Sequence, residues 1–168
     1  MSEEPMRIYL ADLSAYNAGH LVGEWVTLPT NADRLTDAIE RLGHHGMSDV
    51  VIHDWEFPKS LSETDSPHEV NRWASVILRA REEGTPDEVI RLVLSNESDG
   101  IAVLEAGDYT WIEGTMEDWA YDSLEERLSN HEDMEFLMEF FDFKAYAKAL
   151  KAEGRYYEGD AYCVEVFS

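Results

Sequence analysis

Negative charge on residues 105–142 is the feature that most constrains how this chain can fold. The segment holds thirteen Asp and Glu residues and a single base, Arg127. It also keeps enough Trp, Leu, Met and Phe to bury an apolar surface, while its acids must stay in contact with water. We therefore expect helices with one apolar face and one acidic face in this part of the chain.

The whole chain has the same sign of charge. Its 36 acids and 13 bases give a formal net charge of −23 over 168 residues. Residues 1–60 contribute −6, residues 61–104 contribute −5 and residues 105–168 contribute −12. Repulsion at this level opposes compact folding, so we infer that the negative field serves a function. Because basic patches are needed to bind phosphates, the sequence argues against a grip on nucleic acid or anionic membrane and favours cationic partners.

Composition also bounds the class of protein. With 44% apolar and 11% aromatic residues, the chain is expected to fold from end to end. Its single cysteine, Cys163, allows no internal disulfide, and neither a signal segment nor a long apolar run is visible. We expect a soluble cytoplasmic protein without a cofactor or metal.

Residues 1–60 predict a small domain with a three-stranded sheet and one helix. Three segments rich in β-branched, aromatic and aliphatic residues are the predicted strands: 7–11, 22–28 and 50–52. Four apolar residues recur at the spacing of one helix face: Leu35, Ala38, Ile39 and Leu42. Thr30 or Asn31 supplies the cap of this helix and Gly43 its end, and residues 58–67 mark a domain boundary.

Residues 61–104 predict a helical middle domain. Ser66-Pro67-His68-Glu69 and Thr85-Pro86-Asp87-Glu88 each combine a hydroxyl cap, a Pro in the first turn and a Glu at the third position. The apolar faces are Val70, Trp73, Ile77 and Ala80 in the first helix, and Val89, Leu92 and Val93 in the second. Residues 101–104 are predicted as a strand that leads into the last domain.

Residues 105–168 predict an acidic domain of three helices and a hairpin, which makes the fold class α+β in three small domains. The helices are predicted to begin after caps at Thr115, Asn130 and Asp142. Their inward residues are predicted as Ala120, Leu124 and Leu128, then Met134, Leu137, Met138 and Phe141, then Phe143, Tyr146, Ala147 and Leu150. Residues 156–167 predict a hairpin that turns at Gly159-Asp160.

Candidate metal ligands are scattered. His53, Asp54 and Glu56 lie within four residues, but neighbouring side chains of a strand point to opposite faces, so at most two converge. His44-His45 lies in a predicted loop without a zinc spacing. No phosphate-binding loop or nucleophile motif is present, so we do not expect an enzyme. A metal-dependent enzyme that uses His53, Asp54 and Glu56 stays open as an alternative.

The acids of the predicted helices suggest another function. Residues four apart on a helix lie about 6 Å apart along its axis, and Asp118, Asp122 and Glu126 form such a row. Each strand of B-DNA carries one phosphate per about 3.4 Å of axis. We hypothesise that the chain imitates DNA and occupies the site of a DNA-binding protein, whose Lys and Arg cannot distinguish well-placed carboxylates from phosphates. The predicted mimic acids are Asp118, Asp122, Glu125, Glu126, Glu132, Asp133, Glu135 and Glu139, with secondary contributions from Asp33, Asp37 and Glu40.

The acidity is also compatible with two different roles. The acids can form a solvation coat for work in high salt, which agrees with only four Lys among the 13 bases. The concentration of charge in residues 105–168 favours a partner surface over such a coat. The chain can also be a binding module for another basic protein, such as a nucleoid or regulatory protein.

Four blocks of the sequence resemble the ArdA-type antirestriction family. They are IYLADLSAYNAGHLVGEW at 8–25, IHDWE at 52–56, TMEDWA at 115–120 and FDFKAYAKAL at 141–150. The resemblance implies an elongated homodimer of three-domain subunits that mimics bent B-DNA. It also implies inhibition of type I restriction–modification enzymes at their DNA-binding site, which protects incoming mobile genetic elements. Residues 111–114, WIEG, depart from the Gly-Glu-Tyr run of the family.

Overall fold

The computed structural model describes residues 4–43 and 49–167. The chain divides into two compact units, Met1–Asp87 and Glu88–Ser168. Helices and two three-stranded sheets confirm the mixed α+β class. The His44-His45 pair lies outside the described residues, and the division into three domains at residues 60 and 104 stays a prediction.

The first unit is built around an antiparallel sheet. Its elements are β1 (Arg7–Asp12), α1 (Leu13–Asn17), β2 (Gly23–Thr27), α2 (Ala32–Leu42), β3 (Val50–Glu56) and α3 (Pro67–Glu82). The strand order is β2-β1-β3, and Ile8 lies opposite Val26 on one side and Trp55 on the other. The three predicted strands are confirmed, although β3 continues past the predicted 50–52 to Glu56. The helices predicted to begin after Thr30 or Asn31 and after Ser66 are confirmed as α2 and α3, and α1 is an additional element.

Local signals fix the ends of α2. The Asn31 side chain accepts the N–H of Asp33, and the N–H of Gly43 donates to the carbonyl of Ile39. All four residues of the predicted apolar face are buried: Leu35, Ala38, Ile39 and Leu42. Burying each large aliphatic side chain contributes roughly 1.5–3 kcal/mol. Packing against the rest of the unit therefore stabilises α2, and the two caps determine where it begins and ends.

The second unit pairs a sheet with a helical layer. Its elements are α4 (Asp87–Asn96), α5 (Gly100–Ala106), β4 (Tyr109–Glu113), α6 (Met116–Leu128), α7 (Met134–Glu139), α8 (Phe143–Ala152), β5 (Tyr156–Glu158) and β6 (Tyr162–Val166). The antiparallel strands follow the order β4-β6-β5, which confirms the predicted hairpin. No helix in the described ranges is both long and apolar enough to span a membrane.

The strand predicted at residues 101–104 is wrong, because this stretch belongs to α5. The Asp99 side chain accepts the N–H of Ala102 and caps the helix, and Gly107 ends it in the left-handed region with φ of 72°. A short apolar run fits a buried helix as well as a strand, so the caps at both ends decide between them. The strand of this region is β4, which begins at Tyr109, five residues after Leu104.

The second predicted helix of the acidic domain is also wrong in its start and in its buried stripe. Helix α7 begins after Asp133 rather than Asn130 and contains no buried residue. Leu137 and Phe141 of the predicted stripe are 39% and 38% exposed. A six-residue helix has fewer than two turns, so its apolar residues cannot form the long stripe that packs against a core.

The core of this unit lies between α6, α8 and the hairpin. Its buried residues are Met116, Ala120, Ala147, Leu150 and Cys163. The predicted inward positions Ala120, Ala147 and Leu150 are confirmed, while Leu124 and Leu128 are half-buried. This small core fixes α6 with one face inward and leaves its opposite face in solvent.

Candidate partner-binding surface

Helix α6 starts at a capping box. The Oγ1 atom of Thr115 accepts the N–H of Asp118, and Asp118 Oδ2 accepts both the N–H and the hydroxyl of Thr115 at 2.7 Å. Hydrogen bonds from the Thr115 backbone and hydroxyl lower the pKa of Asp118, which is charged throughout the neutral range. The predicted cap is confirmed, and the first acid of the predicted row is held in a fixed position.

The acids of α6 share one exposed face. Asp118, Asp122, Glu125 and Glu126 are all exposed, whereas Met116 and Ala120 are buried. Because successive helix residues turn by about 100°, these four acids fall within an arc of about 100° around the axis. The predicted row is therefore a band of carboxylates along the solvent side of α6.

The remaining predicted acids are exposed as well. Glu132 and Asp133 precede α7, and Glu135 and Glu139 lie one turn apart on it. In the first unit, three exposed acids lie on the side of α2 opposite its buried residues: Asp33, Asp37 and Glu40.

None of these eleven acids forms an ion pair with a described residue. The ion pairs of Arg and Lys that the structure shows use other acids: Arg7–Glu56, Arg41–Glu24, Arg81–Asp87, Lys151–Glu158 and Arg155–Glu153. Spacing in sequence does not reveal this division, since the Arg7–Glu56 pair forms across adjacent strands 49 residues apart. Among the described residues, no Lys, Arg or His therefore pairs with any of the eleven predicted mimic acids.

A cluster of exposed apolar side chains lies beside the acids of α7. Phe136 and Phe140 are 63% and 71% exposed, and their ring centroids are 5.0 Å apart. With Leu137 and Phe141 they form what we call the α7 apolar face. The sequence signal that could have revealed it is the presence of Phe at positions 136 and 140, one turn apart among the acids.

A hollow of about 220 Å³ lies between β4 and α6, and we call it the β4–α6 hollow. It is lined by Thr110, Ile112, Trp119, Asp122, Ser123 and Glu126. Ile112 and Trp119 are half-buried members of the core boundary, and the Trp119 ring meets that of Tyr156 edge to face at 5.9 Å. The hollow therefore combines an apolar wall with two of the predicted mimic acids, Asp122 and Glu126.

The family model for the antirestriction protein (ArdA) matches residues 8–164. The chain belongs to the ArdA antirestriction family. The match covers most of the sequence and confirms the resemblance carried by the four blocks. ArdA proteins are inhibitors that act against DNA restriction. No curated protein matches this sequence.

This ArdA protein also has one cationic edge. Lys144, Lys148 and Lys151 of α8, three of the four lysines in the chain, line a groove of about 450 Å³ beside the start of α6. We call these three residues the lysine edge. Glu158 in this groove accepts the N–H of Met116 at 2.9 Å and an N–H of Lys151 at 2.5 Å. The hydrogen bond from Lys151, followed by that from the Met116 backbone, lowers the pKa of Glu158. The hydrogen bond to Glu158 in turn raises the pKa of Lys151.

The candidate metal ligands of the ArdA chain are engaged separately. His53 Nδ1 lies 3.5 Å from a carboxylate oxygen of Glu63, whereas Glu56 binds Arg7. Asp54 accepts the backbone N–H of Trp55. Within residues 4–43 and 49–167, no three His, Cys, Asp or Glu side chains come together as a metal site.

Proposed function

We propose that this ArdA protein inhibits type I restriction–modification enzymes by presenting carboxylates where these enzymes bind DNA phosphates. The observation that carries the proposal is the set of eleven exposed acids without a cationic partner among the described residues. A carboxylate that is already paired offers little to an incoming Lys or Arg. An unpaired one can accept the charge-assisted hydrogen bonds that a phosphate oxygen would accept.

Many weak contacts are required for this kind of binding. An exposed ion pair contributes about 0.2–1 kcal/mol, so loss of one acid changes affinity little and loss of several changes it strongly. The net charge of −23 also steers the inhibitor toward a basic groove and raises the association rate. We expect fast binding that weakens steeply as salt concentration rises.

The test is a titration of the protein against a type I enzyme across salt concentrations, with duplex DNA as competitor. The test variant is Asp122→Asn, Glu125→Gln, Glu126→Gln and Glu135→Gln, which spares the capping residue Asp118. The matched control neutralises four exposed acids outside the mimic set: Glu82→Gln, Glu83→Gln, Asp108→Asn and Glu113→Gln.

The test variant should bind at least about tenfold more weakly. The slope of log affinity against log salt concentration should become shallower by about one unit for each charge removed. The control should stay close to the unmodified protein. Equal losses in both variants would assign the effect to net charge alone, and absence of binding at low salt would contradict the proposal. Equal affinity for a basic nucleoid protein would favour the alternative of a general acidic binding module.

We further propose that a second copy of the chain covers the α7 apolar face. Exposure of 63% and 71% for Phe136 and Phe140 leaves an apolar surface in water, which is typical of an interaction site. Sedimentation equilibrium should give a dimer that Phe136→Ser/Phe140→Ser converts to monomer. Leu21→Ser, which removes a side chain that is 62% exposed in the first unit, is the control. Because acids flank the face in each copy, salt should strengthen the dimer while it weakens enzyme binding.

A further inference from the structure

The β4–α6 hollow joins exposed acids of α6 to an apolar wall. The side chains of Ile112 and Trp119 are half-buried at the edge of the core, and they form this wall. The hydroxyl residues Thr110 and Ser123 complete the lining. A volume of about 220 Å³ admits one long side chain and is too small for a nucleotide.

Charge identifies the chemistry of the occupant. Asp122 and Glu126 lie one turn apart on α6, both line the hollow, and neither forms an ion pair with a described residue. Two carboxylates beside an aromatic wall suit a cation that can donate several hydrogen bonds and also stack. Arginine has both properties, because its planar guanidinium has five N–H donors and packs on aromatic rings.

We propose that the β4–α6 hollow is a socket for one arginine side chain of the target enzyme, an assignment that rests on the proposed function. The aliphatic stem of the arginine lies along Ile112 and Trp119, and its guanidinium donates to the carboxylates of Asp122 and Glu126. The hydroxyls of Thr110 and Ser123 accept remaining N–H groups. This contact makes Asp122 and Glu126 specificity-determining, in contrast to Glu125, which does not line the hollow.

A lysine fills the same socket less well. Its ammonium is a compact, strongly hydrated charge that cannot make a bidentate contact and gains less from an aromatic wall. A preference for arginine over lysine therefore separates the socket from general attraction to a protein of charge −23. Such attraction acts on both cations alike.

The first experiment needs no enzyme. N-acetyl-arginine amide and N-acetyl-lysine amide are titrated into the full chain, and binding is followed by NMR on the amide signals of Thr110, Ile112 and Ser123 and the indole signal of Trp119. The arginine probe should bind about fivefold or more tightly than the lysine probe. Asp122→Asn/Glu126→Gln should abolish the preference, and Glu125→Gln/Glu132→Gln, with the same net charge, should keep it. Equal binding of both probes, or equal behaviour of both variants, would overturn the socket.

The second experiment uses the type I enzyme. Asp122→Asn/Glu126→Gln should weaken binding about tenfold more than Glu125→Gln/Glu132→Gln, chiefly through faster dissociation. Equal weakening by the two variants would overturn the socket and leave DNA mimicry intact. Arginine-selective binding to the hollow without any binding to the enzyme would contradict the proposed function and retain the socket as a binding site.

Discussion

The Oε1 atom of Glu88 accepts the backbone N–H of Ala161 at 2.8 Å and so joins the first turn of α4 to the turn of the β5–β6 hairpin. The N–H of Tyr162 lies 3.4 Å from the same oxygen. Gly159 lies against this carboxylate so closely that an added Cβ would overlap Oε1. The hairpin thus depends on a distant acid for hydrogen bonds that its own turn does not satisfy.

Removal of this carboxylate should destabilise the second unit. Glu88→Ala removes the acceptor of the exposed N–H of Ala161, and loss of such a hydrogen bond costs about 0.5–1.5 kcal/mol of unfolding free energy. Gly159→Ala should act in the same direction because it displaces the carboxylate. Urea denaturation measures both effects, with the exposed Glu125→Ala as control; an unchanged unfolding midpoint in Glu88→Ala would contradict the role of this bond.

Glu158 should make part of the stability sensitive to acid. Its pKa is lowered from the ordinary 4.5, so its contribution is present above this value and is lost as pH falls through the folded pKa. Glu158→Gln should lose that contribution at neutral pH and should approach the unmodified protein in acid. The measurement is the difference in unfolding free energy between the two proteins at pH 7 and below pH 4.5. Acid also reduces the repulsion among carboxylates, but this effect is the same in both proteins and drops out of the difference between them. Glu153→Gln removes a carboxylate from an exposed ion pair and should change the unfolding free energy little at either pH.

Tyr156 and Tyr157 should lose their hydroxyl protons at a higher pH in the folded protein than in the unfolded chain. A hydrogen bond to Glu97 and burial raise the pKa of Tyr157 to about 12, and burial followed by a hydrogen bond to Glu165 raises that of Tyr156 to about 12. Folded stability should therefore fall as pH rises from 10.0 toward 12, because the unfolded tyrosines lose their protons first. Tyrosinate absorbance should show one late-titrating residue fewer in Tyr157→Phe than in the unmodified protein. An unchanged number of late-titrating residues in Tyr157→Phe would contradict the assignment.

Asp118 and Asp122 should differ in what they stabilise. Asp118→Ala removes the capping box of α6 and should lower the thermal midpoint, whereas Asp122→Ala removes a charge without a capping role and should not. Differential scanning calorimetry measures this contrast. Equal midpoints for the two variants would show that the capping box contributes nothing to the folded unit.

Local signals in the sequence predict the elements whose ends carry caps. The two ends of α2 are set by Asn31 and Gly43, and the start of α6 is set by Thr115 with Asp118. Each signal lies next to the helix end that it determines, so it can be found without knowledge of the fold. The apolar run at 101–104 also has a cap at each end, Asp99 and Gly107, but its short length fits a strand as well as a helix, and the strand prediction followed its composition instead of its caps.

The candidate surface is predictable only in part for a related reason. Helical spacing places Asp122 and Glu126 on one solvent face, but it cannot tell an acid that is free from one that binds a distant base. Glu56 follows the strand predicted at 50–52 and resembles any other acid until the observed sheet register brings Arg7 opposite it. The exposure of Phe136 likewise depends on what the rest of the fold leaves uncovered.

The lysine edge has a practical consequence for handling the protein. Because three of the four lysine amines lie on α8, reagents that acylate amines modify that edge and leave the carboxylates of α6 chemically untouched. Attachment to a bead or sensor through Lys144 or Lys148 uses none of the predicted mimic acids and leaves the hydrogen bond between Lys151 and Glu158 in place. The uneven distribution of lysine therefore allows the protein to be tethered with its acidic face unmodified.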